Sequence, residues 1–436
     1  MTVLSKPLPL EIWINIVELH DRRADASTLR ALSRCCRALA CLCQQILFRD
    51  LYIPRSYGFP SRRAGALARL EDAFTQSPHL ATFVRKVRYT IEDEDADNTT
   101  VHWVLNHLTN NLSDVKIQYI SKTPRTRYLD WDTLDARLRS SITHVVESLH
   151  LKTLSLLWIK NMPLSVFGSL SSNLTKMMLH GIEVKIQPDS EELESTNSDD
   201  TPSRVDLGQT KKRRLPQIKS LEYFYHDTDG VLASRPFLFD FEQLKFLRIS
   251  WGNEHQCALG KELMKEATRL KGLLCAVDSP QKSTAGLAKA MLDCSLDTSL
   301  VLLMIGLSHK DVSSAILDPD PDVYDLFLGL IEELKLLAGK NTVNTLKVHF
   351  DTTKRARESL MGCLRRLDEV ITREVFPHLE RFDLEFWVDC SGPYEPYTAP
   401  GSENAWAKRY RTQCRGVSAI PGLRFDCQVV FVDDSS

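Results

Sequence analysis

The sequence lacks most of the features that would assign it a chemistry at a glance. No apolar run approaches the roughly 20 residues a membrane span requires; one of the longest, Leu300–Leu307, is far shorter. The opening MTVLSKPLPLEIW has no apolar stretch of the kind that directs secretion. The 11 cysteines among 436 residues include no Cys-x-x-Cys pair, a spacing that suits free thiols in a reducing compartment better than a disulfide frame. Neither sign of charge is in excess: 55 Lys plus Arg against 57 Asp plus Glu leave a net charge of -2. No global field therefore draws the chain to nucleic acid or anionic lipid, and neither is an expected partner. A cytoplasmic or nuclear location, or both, is expected.

Catalytic motifs are missing too. The nearest approach to a phosphate-binding loop, Gly252 to Gly260-Lys261-Glu262, has the wrong spacing and no hydroxyl. There is no His-Glu-x-x-His and no Gly-x-Ser-x-Gly, and His102 and His107 do not share a helix face as metal ligands should. Cys35, Cys36, Cys41 and Cys43 form a cluster, but in a stripe where small buried hydrophobes are wanted. No catalytic residue, metal ligand or cofactor is expected, and the chain is read as a non-enzyme.

What exceeds background is leucine, 62 of 436 residues, which directs attention to internal repeats. Ten segments fit L-x-x-L-x-L with conservative replacements, beginning at Val84, Leu112, Leu151, Leu174, Ile218, Leu244, Leu270, Leu300, Val343 and Leu379. Each predicts a short strand, and the segments between predict helices: Leu326, Leu330, Leu334 and Leu337 share one helical face, as do Leu360, Leu364, Leu367 and Ile371. Alternating strands and helices at this period predict an α/β leucine-rich solenoid with parallel strands inside and helices outside. The regular asparagine of well-formed repeats is missing, which predicts an irregular one. A doubly wound α/β domain is the alternative.

Residues 8–53 are a separate helical unit. Pro7 and Pro9 fix an extended entry. Ile12, Ile16 and Leu19 recur at helical spacing, and Ser27 or Thr28 can cap a second helix carrying Leu29, Leu32, Cys36 and Leu39 on one face. A third short helix carries Leu42, Ile46 and Leu47. The Leu8-Pro9-x-Glu11-Ile12 opening, the Leu29-x-x-Leu32-Ser33-x-x-Cys36-Arg37 stretch and the closing Leu47-Phe48-Arg49 resemble an F-box. Followed by leucine-rich repeats, the arrangement resembles the leucine-rich class of F-box proteins. The resemblance implies a three-helix module that docks on a Skp-type adaptor and, through it, on a cullin ubiquitin ligase. Leu8, Pro9, Ile12, Ile16, Leu29 and Leu32 would face the adaptor. The plain alternative is an N-terminal cap for the repeats.

The expected domains are thus 1–54, the F-box; 55–389, the solenoid; and 390–436, a C-terminal cap made of a Gly/Pro-rich loop, a basic helix near Glu403–Cys414 and an alternating strand from Leu423. Within the solenoid, 187–214 has six acids between Asp189 and Asp200 and no aromatics, so it predicts a disordered insertion. Its run Lys211-Lys212-Arg213-Arg214 suits a nuclear-import signal or a solvated loop equally.

The position seven residues after each repeat's first leucine is Tyr119, Trp158, Tyr225, Trp251, Phe350 and Phe386 in six of the repeats, with Trp387 beside the last. Emerging at the concave surface, such a column would supply anchors for a protein target; tucked under the next loop, it would be core. His180, Arg248, Lys347, His349 and Asp383 are candidate specificity residues. The expected function is a substrate-recognition subunit of a Skp–cullin–F-box ligase, with the solenoid holding a protein target. A non-ligase interaction scaffold is the first alternative and an α/β enzyme with an unrecognised site the second.

Overall fold

The structure, a computed structural model, describes residues 12, 14, 15, 17, 25–53, 55–56, 60–95, 98–108, 111–121, 128–185, 215–224, 238–277, 283–308, 327, 329–353, 357–389 and 402–432. The acidic and basic insertion and the Gly/Pro-rich loop after Cys390 lie outside them. The chain divides into two compact units, residues 1–216 with 227–239 and residues 217–226 with 240–436.

The first unit carries strands β1 (Asp50–Ile53), β2 (Lys86–Ile91), β3 (Asp114–Tyr119), β4 (Leu129–Asp130), β5 (Thr153–Pro163) and β6 (Lys176–Lys185). They pair in the order β1-β2-β3-β5-β6, with β4 alongside the far end of β5, and every pair is parallel. The second carries β7 (Ser220–Phe224), β8 (Phe246–Ser250), β9 (Gly272–Val277), β10 (Leu302–Ser308), β11 (Thr345–Thr353), β12 (Arg381–Asp389) and β13 (Arg424–Val432). These also pair in chain order and in parallel. Parallel neighbours in sequence order, joined through helices, give each unit a solenoid-like sheet.

All ten predicted repeats carry a strand, and each strand begins two residues after the repeat's first leucine or its replacement. The regularity has a backbone cause. The carbonyl one residue after that position accepts the next two amides of the following repeat: Ser113 from Lys152 and Thr153, Lys245 from Lys271 and Gly272, Val301 from Asn344 and Thr345. Strand residues then alternate, and the leucine side packs beneath the helices as the core (Leu154, Leu179, Leu247, Leu273, Leu303, Leu346 and Leu384 are all sealed from solvent). Among the described residues the C-terminal segment continues this pattern, β13 pairing with β12 over nine positions.

The missing asparagine is replaced chemically. Ser148 Oγ donates to the carbonyl of Leu112, Ser299 Oγ to Leu270 and Thr342 Oγ1 to Leu300, each at about 3 Å, so a hydroxyl satisfies the first carbonyl of the preceding repeat. Asn341 bonds elsewhere, donating to the carbonyls of Leu337 and Val375, both at 2.8 Å. Carboxylates fasten helices across repeats. Glu333 accepts from the amides of Gly286 (2.8 Å) and Ala288 (2.7 Å) at the start of helix Leu287–Asp293. Asp368 does the same for Gly416 and Val417 at the start of helix Arg415–Ala419. Glu333→Ala leaves two helix-start amides without their charged acceptor and should cost about 1.5–3 kcal/mol, measured by urea denaturation.

In the N-terminal region, Ile12, Ile14, Asn15 and Val17 are helical, and helices Ala26–Leu32 and Arg37–Arg49 follow. The second predicted helix breaks earlier than expected. Ser33 Oγ donates to the Arg30 carbonyl at 2.8 Å, and tight bonds from Arg34 to Ala31 and from Cys35 to Leu32 close a turn. Cys36 thus caps the following helix as an exposed residue, not part of an apolar face. Val17, Leu29, Leu39 and Cys43 form the interior, with Leu32, Leu42, Ile46 and Leu47 packed against it.

Candidate functional site

On the side of each sheet opposite the leucines, the side chains are set by the x positions of L-x-x-L-x-L. In the second unit the register lines them up in rows. One runs Glu222, Arg248, Leu274, Met304, Lys347, Asp383, Asp426. The next runs Ser250, Ala276, Gly306, His349, Glu385, Gln428. The middle of this face is apolar and shallow, with small residues at Ala276 and Gly306, while the β11–β13 end is densely charged.

At that end, Lys347 and Glu385 form an ion pair. Glu385 also accepts from Trp387 Nε1 at 2.8 Å. His349 stands 3.3 Å from Asp351 and 3.7 Å from Glu385, with its ring edge-on to Trp387 at 5.0 Å. Burial opposes ionisation of Glu385, yet the hydrogen bonds from Lys347 and Trp387 outweigh it and hold the carboxyl below its ordinary value. Arg381 binds Asp383 at 2.8 Å and Arg411 binds Asp426 at 2.7 Å. Trp387 remains 41% exposed, a rigid aromatic held by its own hydrogen bond within a polar rim. That is the composition of a protein-contact anchor.

The expected aromatic column is corrected. Tyr119, Trp251, Phe350 and Phe386 are buried and cannot line a contact surface. Position seven has the same parity as positions three and five, so in a regular strand it points to the leucine side. Phe350 and Phe386 stack in the core, 5.1 Å apart. Tyr225 lies outside the described residues. Among the described members of the column Trp158 departs, because its backbone is left-handed at φ 64° and Ile159 takes the buried place instead. Half-buried, it packs 4.3 Å from His180 and 5.6 Å from Tyr128. Gly181 makes room for it, since a Cβ there would meet Trp158 Cε3 at 2.7 Å. The same parity rule places Trp387, Glu385 and Asp351 on the open face, and the sequence reading overlooked the last two.

Of the residues carried over from the resemblance, Leu8, Pro9 and Ile16 lie outside the described residues. Ile12 is 42% exposed, and Leu32 is partly buried against the helical interior. Leu29 is fully buried within that interior, so its expected place on an adaptor-facing surface is corrected.

No family model matches the chain, and no curated protein matches it. A solved structure that is similar is the leucine-rich repeat-containing protein LegL7 from Legionella pneumophila. The two are 12% identical over 81% of this chain and 96% of that one, with a TM-score of 0.35. A likeness at that level carries no weight for function, and the solenoid-like fold rests on the strand pairing above.

Among the described residues, no cluster of three or more His, Cys, Asp or Glu side chains is placed to hold a metal. None of their helices is long and apolar enough to cross a membrane. Cys275, Cys414 and Cys427 are core residues, and burial pushes the thiols of the latter two up to about 12, away from thiolate chemistry at neutral pH.

Proposed function

We propose that this chain is a non-enzymatic protein-interaction receptor that captures a protein target on the open sheet face of its second unit. The observation that carries the reading is the exposed Trp387 in its rim of Lys347, His349, Asp351 and Glu385. Trp158, beside His180 in the first unit, is a second candidate target contact. The finer reading is that the receptor serves a Skp–cullin–F-box ubiquitin ligase in the cytoplasm or nucleus, docking through the N-terminal helices. Its support is the sequence resemblance, together with the helical residues 12, 14, 15 and 17, the helices Ala26–Leu32 and Arg37–Arg49 and the exposed Ile12. The ligase's contribution to chemistry would then be proximity, raising the effective concentration of target lysines near a charged conjugating enzyme.

One observation favours the plainer reading of a scaffold with a helical cap: Leu29 is an interior residue of the helical unit. Co-purification with a Skp-type adaptor separates the two. Full-length protein is expected to capture the adaptor stoichiometrically, and Leu8→Ala/Pro9→Ala is expected to abolish capture at unchanged melting temperature. A well-folded full-length chain that captures none, or a double variant that still captures it, would sink the docking assignment and leave the scaffold.

A further inference from the structure

A second site lies in the first unit. Helices Ala26–Leu32 and Arg37–Arg49 border a hollow of about 890 Å³ whose other wall is the open face of β1–β3. Arg30 reaches it from the first helix, Leu47 and Phe48 from the second, and Tyr52, Arg88 and Lys116 from successive strands. The last three are direct register partners, Tyr52 opposite Arg88 and Arg88 opposite Lys116.

Two cations directly opposite across parallel strands repel one another and destabilise the sheet. The previous row of the same strands avoids this, pairing Lys86 with Asp114. In the second unit the like-charged partners Asp383 and Asp426 are each neutralised by an arginine. Arg88 and Lys116 have no such relief: among the described residues, neither their head groups nor that of Arg30 makes an ion pair or hydrogen bond, and no carboxylate lines the hollow. Three cations around one concavity, without an acidic partner among the described residues, suit an anion brought by a ligand.

We propose that this hollow binds an acidic peptide segment of a partner protein, its carboxylates held by Arg30, Arg88 and Lys116 and a neighbouring apolar side chain resting on Leu47, Phe48 and Tyr52. Nucleic acid fits less well. Its affinity comes from neutralising many phosphates along a basic stripe, and here there are three cations on a chain of net charge -2. The half-exposed Tyr52 (47%) and the apolar wall instead suit a peptide that alternates acids with larger side chains.

The test uses full-length protein and a fluorescein-labelled Glu-Glu-Leu-Glu-Glu-Phe peptide, read by polarisation, beside its Gln-Gln-Leu-Gln-Gln-Phe counterpart and a single-stranded oligothymidylate. Saturable binding of the acidic peptide is expected, weakening with salt and absent for the glutamine form. Arg88→Gln/Lys116→Gln should weaken it at least about tenfold, through loss of two charge-assisted contacts. Lys116→Glu should abolish binding while raising the melting temperature, since it converts a repelling pair into an attracting one. Equal binding of the glutamine peptide, unchanged binding by the double variant, tighter binding of the oligonucleotide, or a lowered melting temperature for Lys116→Glu would each overturn the proposal. Because the readout is peptide binding, it stands or falls apart from adaptor capture.

Discussion

Replacing Trp251 with alanine is expected to destabilise the second unit by about 3–5 kcal/mol, the range for emptying a large aromatic site in a close-packed core. Trp251 is fully buried and donates its Nε1–H to the carbonyl of Ala285 at 3.2 Å, so the change opens a cavity and strips a buried acceptor of its partner. Relaxation is restricted on one side by Gly260. A Cβ there would lie 2.9 Å from both Trp251 Cζ3 and Ile249 Cδ1, which means that helix Glu254–Glu266 already approaches the ring as closely as backbone permits. For a unit of this size the loss corresponds to a fall of roughly 6–20 °C in melting temperature. Trp251→Phe keeps most of the ring and should lose far less, about the value of the hydrogen bond plus a small void. A melting temperature unchanged by Trp251→Ala, with target capture lost, would return this residue to the binding surface.

Arg63→Ala is the second large effect. The Arg63 side chain is only 5% exposed; its guanidinium lies 2.6 Å from Asp95 and 3.7 Å from Glu92 and donates to the Thr90 carbonyl at 3.0 Å. Asp95 also accepts from Tyr89 Oη and from the Glu92 amide, and Glu92 accepts from the Ser56 amide. Removing the arginine strands two buried carboxylates, at a cost of about 3–5 kcal/mol. Even with the arginine present, burial outweighs its attraction and raises the Asp95 pKa above the ordinary carboxylate value. Without it the folded pKa rises further. A carboxyl whose folded pKa exceeds its unfolded one stabilises at low pH and loses that contribution as pH rises through the window between the two. The deficit of Arg63→Ala relative to the parent should therefore be full at neutral pH and shrink toward pH ~4. Urea denaturation of both proteins across that range reads the difference; a deficit independent of pH would show that the lost arginine acted through packing alone.

The two large effects fall on residues that the sequence presents very differently. Trp251 is conspicuous in the chain but its side of the sheet is not, because a strand's inward and outward faces differ only in parity and the reading turned on where each strand ends. β8 itself ends at Ser250, but the Trp251 amide still donates to the Ala276 carbonyl at 2.8 Å, so the alternation that buries Leu247 and Ile249 carries on one residue and buries Trp251 as well. Trp158 breaks the rule through a left-handed backbone that no pattern of residue types announced. Arg63 carried no signal at all: it sits on helix Pro60–Gln76, and its partners are 27 to 32 residues away.

By itself the sequence determined the repeat, since the period-2 leucines of all ten segments became parallel strands at one constant offset, an outcome that local alternation and apolar burial dictate. It also determined the helical character of the N-terminal unit. Only the tertiary structure decided which aromatics are core, which hydroxyls stand in for the missing asparagine, and that Arg30, Arg88 and Lys116 surround one hollow. The physical reason is the same in each case. Repeats fix the face and register of neighbouring strands, but juxtapositions across 28 to 86 residues of chain arise only when parallel pairing and helix docking bring those strands together.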